Sequence, residues 1–280
     1  MPLTKEEIKG LGKKAWDIRK LIVETTFTCG GSHLGGSLSQ TDVLVALYWK
    51  YMNIDPSNPA WEDRDRFILS KGHGGVGWAA VLGEKGYFDK DLLKNFNKTG
   101  SPFGMHLDSL KVKGCDASTG SLGHGLAIAV GLAIGAKMKK KSYRTYCMVG
   151  DGELCEGTNW EAAIIATHHK LDNLTLFVDR NKFMIDGPTE DITSLEPIDA
   201  KFQAFGWETI TIDGHDFAQI GDAIEKAQAN KGKPTVIICN TIKGKGVELF
   251  ENKSQWHYGG INSDLKEQAL ACLDKFYCEL

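Results

Sequence analysis

The sequence predicts an α/β fold: a mostly parallel sheet with helices on both faces, as one domain over residues 1–280. Three observations carry this. Beyond residue 140, short apolar runs rich in β-branched and aromatic residues alternate with helical stretches, the pattern of successive βα units. Each strand-like run ends in a glycine or polar turn, and in such sheets ligands bind at the carboxyl ends of the strands. No linker divides the chain, and a chain of this size hides roughly three quarters of its unfolded surface.

The elements follow in order. Thr4 and Glu7 form a capping-box signature that opens a helix through about Thr26. Gly30 to Ser39 (GGSHLGGSLS) reads as a glycine-rich loop, followed by a helix from about Gln40 to Tyr51. Asn53 to Asp65, with Pro56 and Pro59, is loop. Arg66 to Ser70 is a short buried strand, followed by GHGGVG and a helix. Asn97 to Thr119 shows little periodicity, and a connection of that length is usually functional or disordered. A helix spans about Leu122 to Lys140. Strands follow at Thr145–Val149, Leu174–Asp179, Trp207–Ile212 and Thr235–Asn240, with helices at Asn159–His169 and Phe217–Asn230 among them. A last helix covers about Ser263 to Phe276.

Composition narrows the function classes. A formal charge of −3 leaves no electrostatic footprint for nucleic acid. No apolar run reaches the 18 residues of a membrane span, and MPLTKEEIKG lacks the apolar stretch of a secretory signal. The 7 cysteines are odd in number and form no C-x-x-C pair, which predicts buried, reduced thiols in a cytoplasmic protein and no structural zinc. Glycine is the outlier, with 32 in 280 residues against about 7% in average usage.

Two glycine motifs carry chemistry. Gly72 to Gly77 (GHGGVG) fits G-x-G-x-x-G after a strand, with Asp89 and Asp91 near the place of a ribose-binding acid. It lies behind two helices and a loop, however, so a tight strand-to-helix connection of small residues explains it equally well. The second is Gly150-Asp151-Gly152-Glu153, directly after a strand, with Asn181 directly after the next. Consecutive parallel strands bring Asp151 and Asn181 side by side. A carboxylate, an amide oxygen and a backbone carbonyl are hard donors suited to Mg²⁺, which keeps further oxygens from water and phosphate. Exposed backbone N–H groups and a following helix N-terminus suit an anion. Singly, each element is a Gly-Asp-Gly turn or a helix-capping Asn; together they favour a metal-bridged diphosphate.

GDGELCEG followed by DRNKFMIDG resembles the thiamine-diphosphate motif of the transketolase family. GGSHLGGSLS, DRFILSKGHGGVGWA, SPFGMHLD, STGSLGHGLAIAVG and TIKGKGVELFENKSQWH resemble, in family order, the loops that surround that cofactor. The resemblance displaces the dinucleotide reading and implies a thiamine-diphosphate-binding domain of the diphosphate-binding type. It implies that Asp151, Asn181 and the Phe183 carbonyl hold a divalent metal (Mg²⁺, Ca²⁺ or Mn²⁺). Gly152, His73 and His257 would contact the diphosphate, beside Gly150 and Glu153. Gly120, Ser121, Leu122 and Ile185 would lie along the cofactor near its thiazolium ring. His33, His73, His106 and His257 would surround the reacting carbon, and Glu156 would link paired active sites across an interface. Imidazoles suit such a place, because ketol transfer needs donors aimed at a developing oxyanion and proton exchange near neutral pH.

The resemblance covers only the first domain of that family; the pyrimidine-binding and C-terminal domains are absent. It therefore implies the N-terminal subunit of a split transketolase, with a separate partner chain in an assembly of two copies of each. A 1-deoxyxylulose-phosphate-synthase-like enzyme is disfavoured by His106 and His257, and a non-catalytic regulatory subunit by the retained His33 and His106. The remaining histidines read as structural: His168 and His169 at a helix end and His215 in a DGHD turn, with His124 left outside the catalytic set. Lys243 and Lys245, in KGKG, could touch phosphate, but a mobile, solvated loop is the preferred reading.

Overall fold

The structure, a computed structural model, describes residues 2–278. Five parallel strands form one sheet: β1 (Arg66–Leu69), β2 (Thr145–Gly150), β3 (Leu174–Arg180), β4 (Glu208–Asp213) and β5 (Thr235–Asn240). Their spatial order is β1-β2-β3-β5-β4. Every pairing is parallel, so the carboxyl ends share one edge.

Period-2 alternation divides the strand side chains between two cores. Phe67, Leu69, Tyr146, Met148, Phe177 and Ile237 face the core built with helices α1 (Lys5–Cys29), α3 (Thr41–Ala46), α4 (Gly75–Lys85), α9 (Phe217–Ala229) and α10 (Ser263–Cys278). Ile68, Cys147, Val149, Leu176, Val178 and Ile238 face the other, built with α5 (His124–Met138), α6 (Gly157–His168) and α8 (Ile198–Ala204). Each such side chain, buried, contributes about 1.5–3 kcal/mol. The chain reverses its direction across the sheet after β4, which carries α9 to the opposite face from α8, as the right-handed crossover rule requires.

Several local expectations shift. The capping box is present, with Glu7 N donating to Thr4 Oγ1 (3.2 Å) and Thr4 N to Glu7 Oε2 (2.8 Å). The stretch read as a glycine loop contains a helix, α2 (Leu34–Ser39), because its glycines serve close approach: a Cβ at Gly35 would lie 2.8 Å from Lys243 Cγ. The fourth strand begins at Glu208, since Trp207 turns inward and donates Nε1–H to the Ala163 carbonyl (3.0 Å). Residues 97–119 form no helix or strand, yet Phe103, Leu107, Val112 and Cys115 anchor them in the core, which holds His106 in place. Of the cysteines, Cys115, Cys147 and Cys239 are buried, whereas Cys155 and Cys278 are exposed. Among the described residues no helix is long and apolar enough to cross a membrane.

Candidate active site

Strand register assembles the site. Gly150 of β2 pairs with Asp179 of β3, and Arg180 of β3 pairs with Asn240 of β5. Asp151, Asn181 and the Thr241–Lys243 segment therefore leave the sheet side by side, and the end of β1 delivers Lys71 and His73 beside them. A cavity of about 360 Å³ lies over these strand ends. It takes in His33, His73, His106 and His257, Gly120 and Leu122, Gly150 to Glu153, Asn181, Phe183 and Ile185. Residues from seven sequence segments thus converge. Ser121 and Glu156, grouped with them from sequence, are exposed and lie outside the cavity lining, as does His124 at the start of α5. His168 and His169 are exposed at the end of α6.

The four imidazoles form one cluster. Ring centroids are 5.1 Å apart for His33–His73, 5.4 Å for His33–His257, 5.2 Å for His73–His257 and 6.4 Å for His33–His106. Burial, reinforced by His106 and Lys243, brings the His33 pKa down to about 4. Burial, with Lys243, His33 and Lys71, brings His257 down to about 3. His73 is pushed well below its ordinary value by burial and Lys71, and His106 is lowered by burial. All four are neutral at pH 7, able to donate from one nitrogen and accept at the other. Among the described residues the buried Nδ1 of His33 has no hydrogen-bond partner, so a polar group remains to be satisfied inside the cavity.

The polar walls differ in what they leave available. Asp151 is 1% exposed; its Oδ2 accepts from Arg180 Nη1 (2.9 Å) and Lys182 N (2.6 Å), and burial raises its pKa. The Asn181 Oδ1 accepts from Phe183 N (3.2 Å), which turns the Phe183 carbonyl toward the cavity side, where Lys243 Nζ meets it at 3.4 Å. Glu153 lines the cavity, and its carboxylate is engaged within the protein. The carboxylate accepts from Ser70 Oγ, from Gly123 N (2.8 Å) and from Gly150 N (3.0 Å), so it ties three loops of the cavity together. Small residues keep the interior open: a Cβ at Gly120 would lie 3.3 Å from the His106 ring, and one at Gly152 would lie 2.9 Å from Met184 Cγ.

Two lysines of this site lie outside the set of candidate residues read from sequence. Lys71 and Lys243 are each 1% exposed. The expectation of a solvated loop fails at Lys243, because α2 and the 256–257 segment cover it: Gly244 N donates to the Gly35 carbonyl (3.0 Å), and Lys243 Nζ contacts His257 Nδ1 (2.9 Å). The available signal was positional, since both lysines lie within three residues of a strand's carboxyl end.

The oxygen set fits a divalent cation together with an anion. A cationic nitrogen already stands at the Phe183 carbonyl. Among the described residues no three His, Cys, Asp or Glu side chains are grouped to hold a metal ion, and the set has one carboxylate, Asp151. Mg²⁺ bound by so few protein charges takes its remaining oxygens from phosphate and water. Lys243 and the glycine-walled space beside it suit that phosphate.

Comparison with known proteins agrees with this geometry. The family described as transketolase, thiamine diphosphate binding domain, matches residues 12–275. The 6-deoxy-6-sulfo-D-fructose transketolase subunit SqwG of Clostridium sp. (strain MSTE9) is 45% identical over 92% of this chain and 94% of that protein. An apulose-4-phosphate transketolase subunit of Actinobacillus succinogenes is 42% identical over 93% and 94%. The crystal structure of the Campylobacter jejuni transketolase is similar with a TM-score of 0.87 at 31% identity, over 95% of this chain. The chain spans 45% of that larger protein.

Proposed function

The chain belongs to the transketolase family, and on that premise we propose that it is the diphosphate-binding, N-terminal subunit of a divided transketolase. It moves a two-carbon ketol unit from a ketose or ketose phosphate to an aldose, once a second chain completes the site. The observation that carries this reading is the convergence of four neutral imidazoles and the Asp151–Asn181–Phe183 oxygen set on one strand-end cavity.

When bound, thiamine diphosphate supplies the electron sink that allows the ketose carbon–carbon bond to break. The chain's residues hold and orient. Asp151, the Asn181 amide oxygen and the Phe183 carbonyl take the divalent metal, Mg²⁺, Ca²⁺ or Mn²⁺. Lys243, His73 and His257 face the diphosphate, with Gly152 keeping room for it. Gly120, Leu122 and Ile185 line the path toward the thiazolium ring. His33 and His106 face the sugar: neutral imidazoles donate to an oxygen that gains charge and accept the proton of a departing hydroxyl. Their depressed pKa values keep the accepting nitrogen unprotonated at neutral pH.

The relatives matched along nearly their whole length are named as subunits, which supports a separate partner supplying the pyrimidine-binding domain in an α2β2 assembly. The exposed Glu156 is available for such an interface. Both relatives are named for sugars with a strongly anionic terminal group, and we extend that substrate class to this chain. A cytoplasmic location accords with the free thiols. The test is ketol transfer by the purified chain alone and with its pyrimidine-binding partner: activity is expected only in the pair, and transfer by the lone chain at the rate of the pair removes the reading.

A further inference from the structure

We propose that His215 is a positioning residue for Lys243, acting through the backbone of Ile242 and held by the buried Arg19–Asp42 pair. The inference rests on the diphosphate role of Lys243 proposed above. His215 follows β4, the edge strand, and its turn folds over the end of β5. Gly214 permits this approach, since a Cβ there would lie 2.5 Å from Thr241 Cγ2. Beyond Asn240, strand pairing ends, and the Ile242 N–H needs another acceptor. It finds one in His215 Nε2 at 2.9 Å.

The imidazole is fixed by the groups behind it. His215 Nδ1 lies 2.7 Å from Asp42 Oδ2. Burial alone would raise the Asp42 pKa, but Arg19 and His215 hold it well below the usual carboxylate range, so the carboxylate accepts and Nδ1 carries the proton. Nε2 is thereby left as the acceptor that Ile242 requires. Arg19 holds Asp42 through Nη1 (2.9 Å) and Nη2 (2.6 Å), and its Nε donates to the Lys245 carbonyl (3.1 Å). The network thus grips the backbone on both sides of Lys243: the amide just before it and the carbonyl two residues after. Arg19, Asp42 and His215 also line a second cavity, of about 450 Å³, that shares no lining residue with the active-site cavity. Their influence on the diphosphate therefore runs through the loop and not through contact.

Two substitutions separate positioning from simple packing. In His215→Gln the side-chain oxygen reaches the place of Nε2 and still accepts from Ile242. In His215→Asn the side-chain amide reaches the place of Nδ1 and still donates to Asp42, but Ile242 N–H is left unpaired. The full-length chain is titrated with inorganic diphosphate plus Mg²⁺ by calorimetry, with thermal melting of the same samples. Loss of a group that orients a ligand-binding residue costs about ten-fold or more in affinity. That loss is expected in His215→Asn, with His215→Gln staying within about three-fold of the parent. Wild-type affinity in His215→Asn, equal losses in both, or the reverse order overturns the positioning role. Failure of the parent chain to bind Mg²⁺–diphosphate overturns the reading of Lys243 itself, and the inference with it. Should His215→Asn not fold, hydrogen exchange at the Ile242 amide of the parent decides: strong protection supports the proposal and rapid exchange overturns it.

Discussion

The loops after β1 and after β5 each bury a lysine in the same cavity, and the two lysines are held in opposite ways. Lys71 donates to the Asp179 carboxylate and to the Gly36 carbonyl (2.8 Å). Asp179 also accepts from Ser39 Oγ (2.7 Å), Thr241 Oγ1 and Asn181 Nδ2 (3.1 Å). Burial would raise the Asp179 pKa, but Lys71 and these donors leave it below the usual range. Lys243 has only neutral partners, the carbonyls of Phe183 (3.4 Å) and Met184 (3.3 Å) and the His257 ring, and among the described residues it makes no ion pair. Burial, together with Lys71, brings its pKa down to about 8. One charge is neutralised within the protein and joins the strand ends. The other is left for an incoming anion. A buried cation is costly unless paired, so the second arrangement is what a binding site leaves unfinished.

Substitutions test this contrast between the two lysines, the largest expected effect first. Lys71→Met strands the buried Asp179 charge, and removing one partner of such a pair costs about 3–5 kcal/mol; urea unfolding at parental stability would erase the distinction between the two lysines. Asp151→Ala removes the single carboxylate of the oxygen set and abolishes metal-dependent thiamine diphosphate binding; unchanged affinity by calorimetry removes the metal assignment. Lys243→Met is expected to weaken Mg²⁺–diphosphate binding by about 10–100-fold, or roughly 1.4–2.8 kcal/mol, while leaving the melting temperature equal or higher. A stability loss as large as that of Lys71→Met would show that Lys243 is structural too.

A gentler test uses pH. His33 and His257 titrate near 4 and 3 in the folded chain, against an ordinary 6.5. Their folded pKa values are depressed, so as pH falls below about 6.5 the unfolded state takes up protons that the folded state refuses. Their contribution is complete above pH 6.5 and declines toward pH 4. Unfolding free energy measured from about pH 7 to about pH 5 should fall, and His257→Asn should flatten that slope. A slope unchanged by the substitution would mean that the imidazole is not held neutral by its surroundings.

Short continuous apolar runs with turn residues at their ends were enough to read the parallel strands, because burial on both faces demands apolar side chains throughout. The conjunction of GDGE with Asn181 at successive strand ends marked the site for the same reason: parallel strands deliver such ends to one edge. The glycines of 30–39 misled, since small residues that admit a neighbouring chain resemble those that permit a turn. The loop-tying bonds of Glu153 were not legible, because its partners Ser70 and Gly123 lie far away in sequence. The sequence by itself determined the alternation of elements, the two-sided core and the address of the cavity, all of which follow from local pattern. Tertiary structure alone decided which charges are paired, which imidazoles are neutral and that Lys243 is covered. Desolvation and Coulomb energies depend on neighbours such as Asp179 for Lys71 and Phe183 for Lys243, 108 and 60 residues away, and no local pattern encodes those distances.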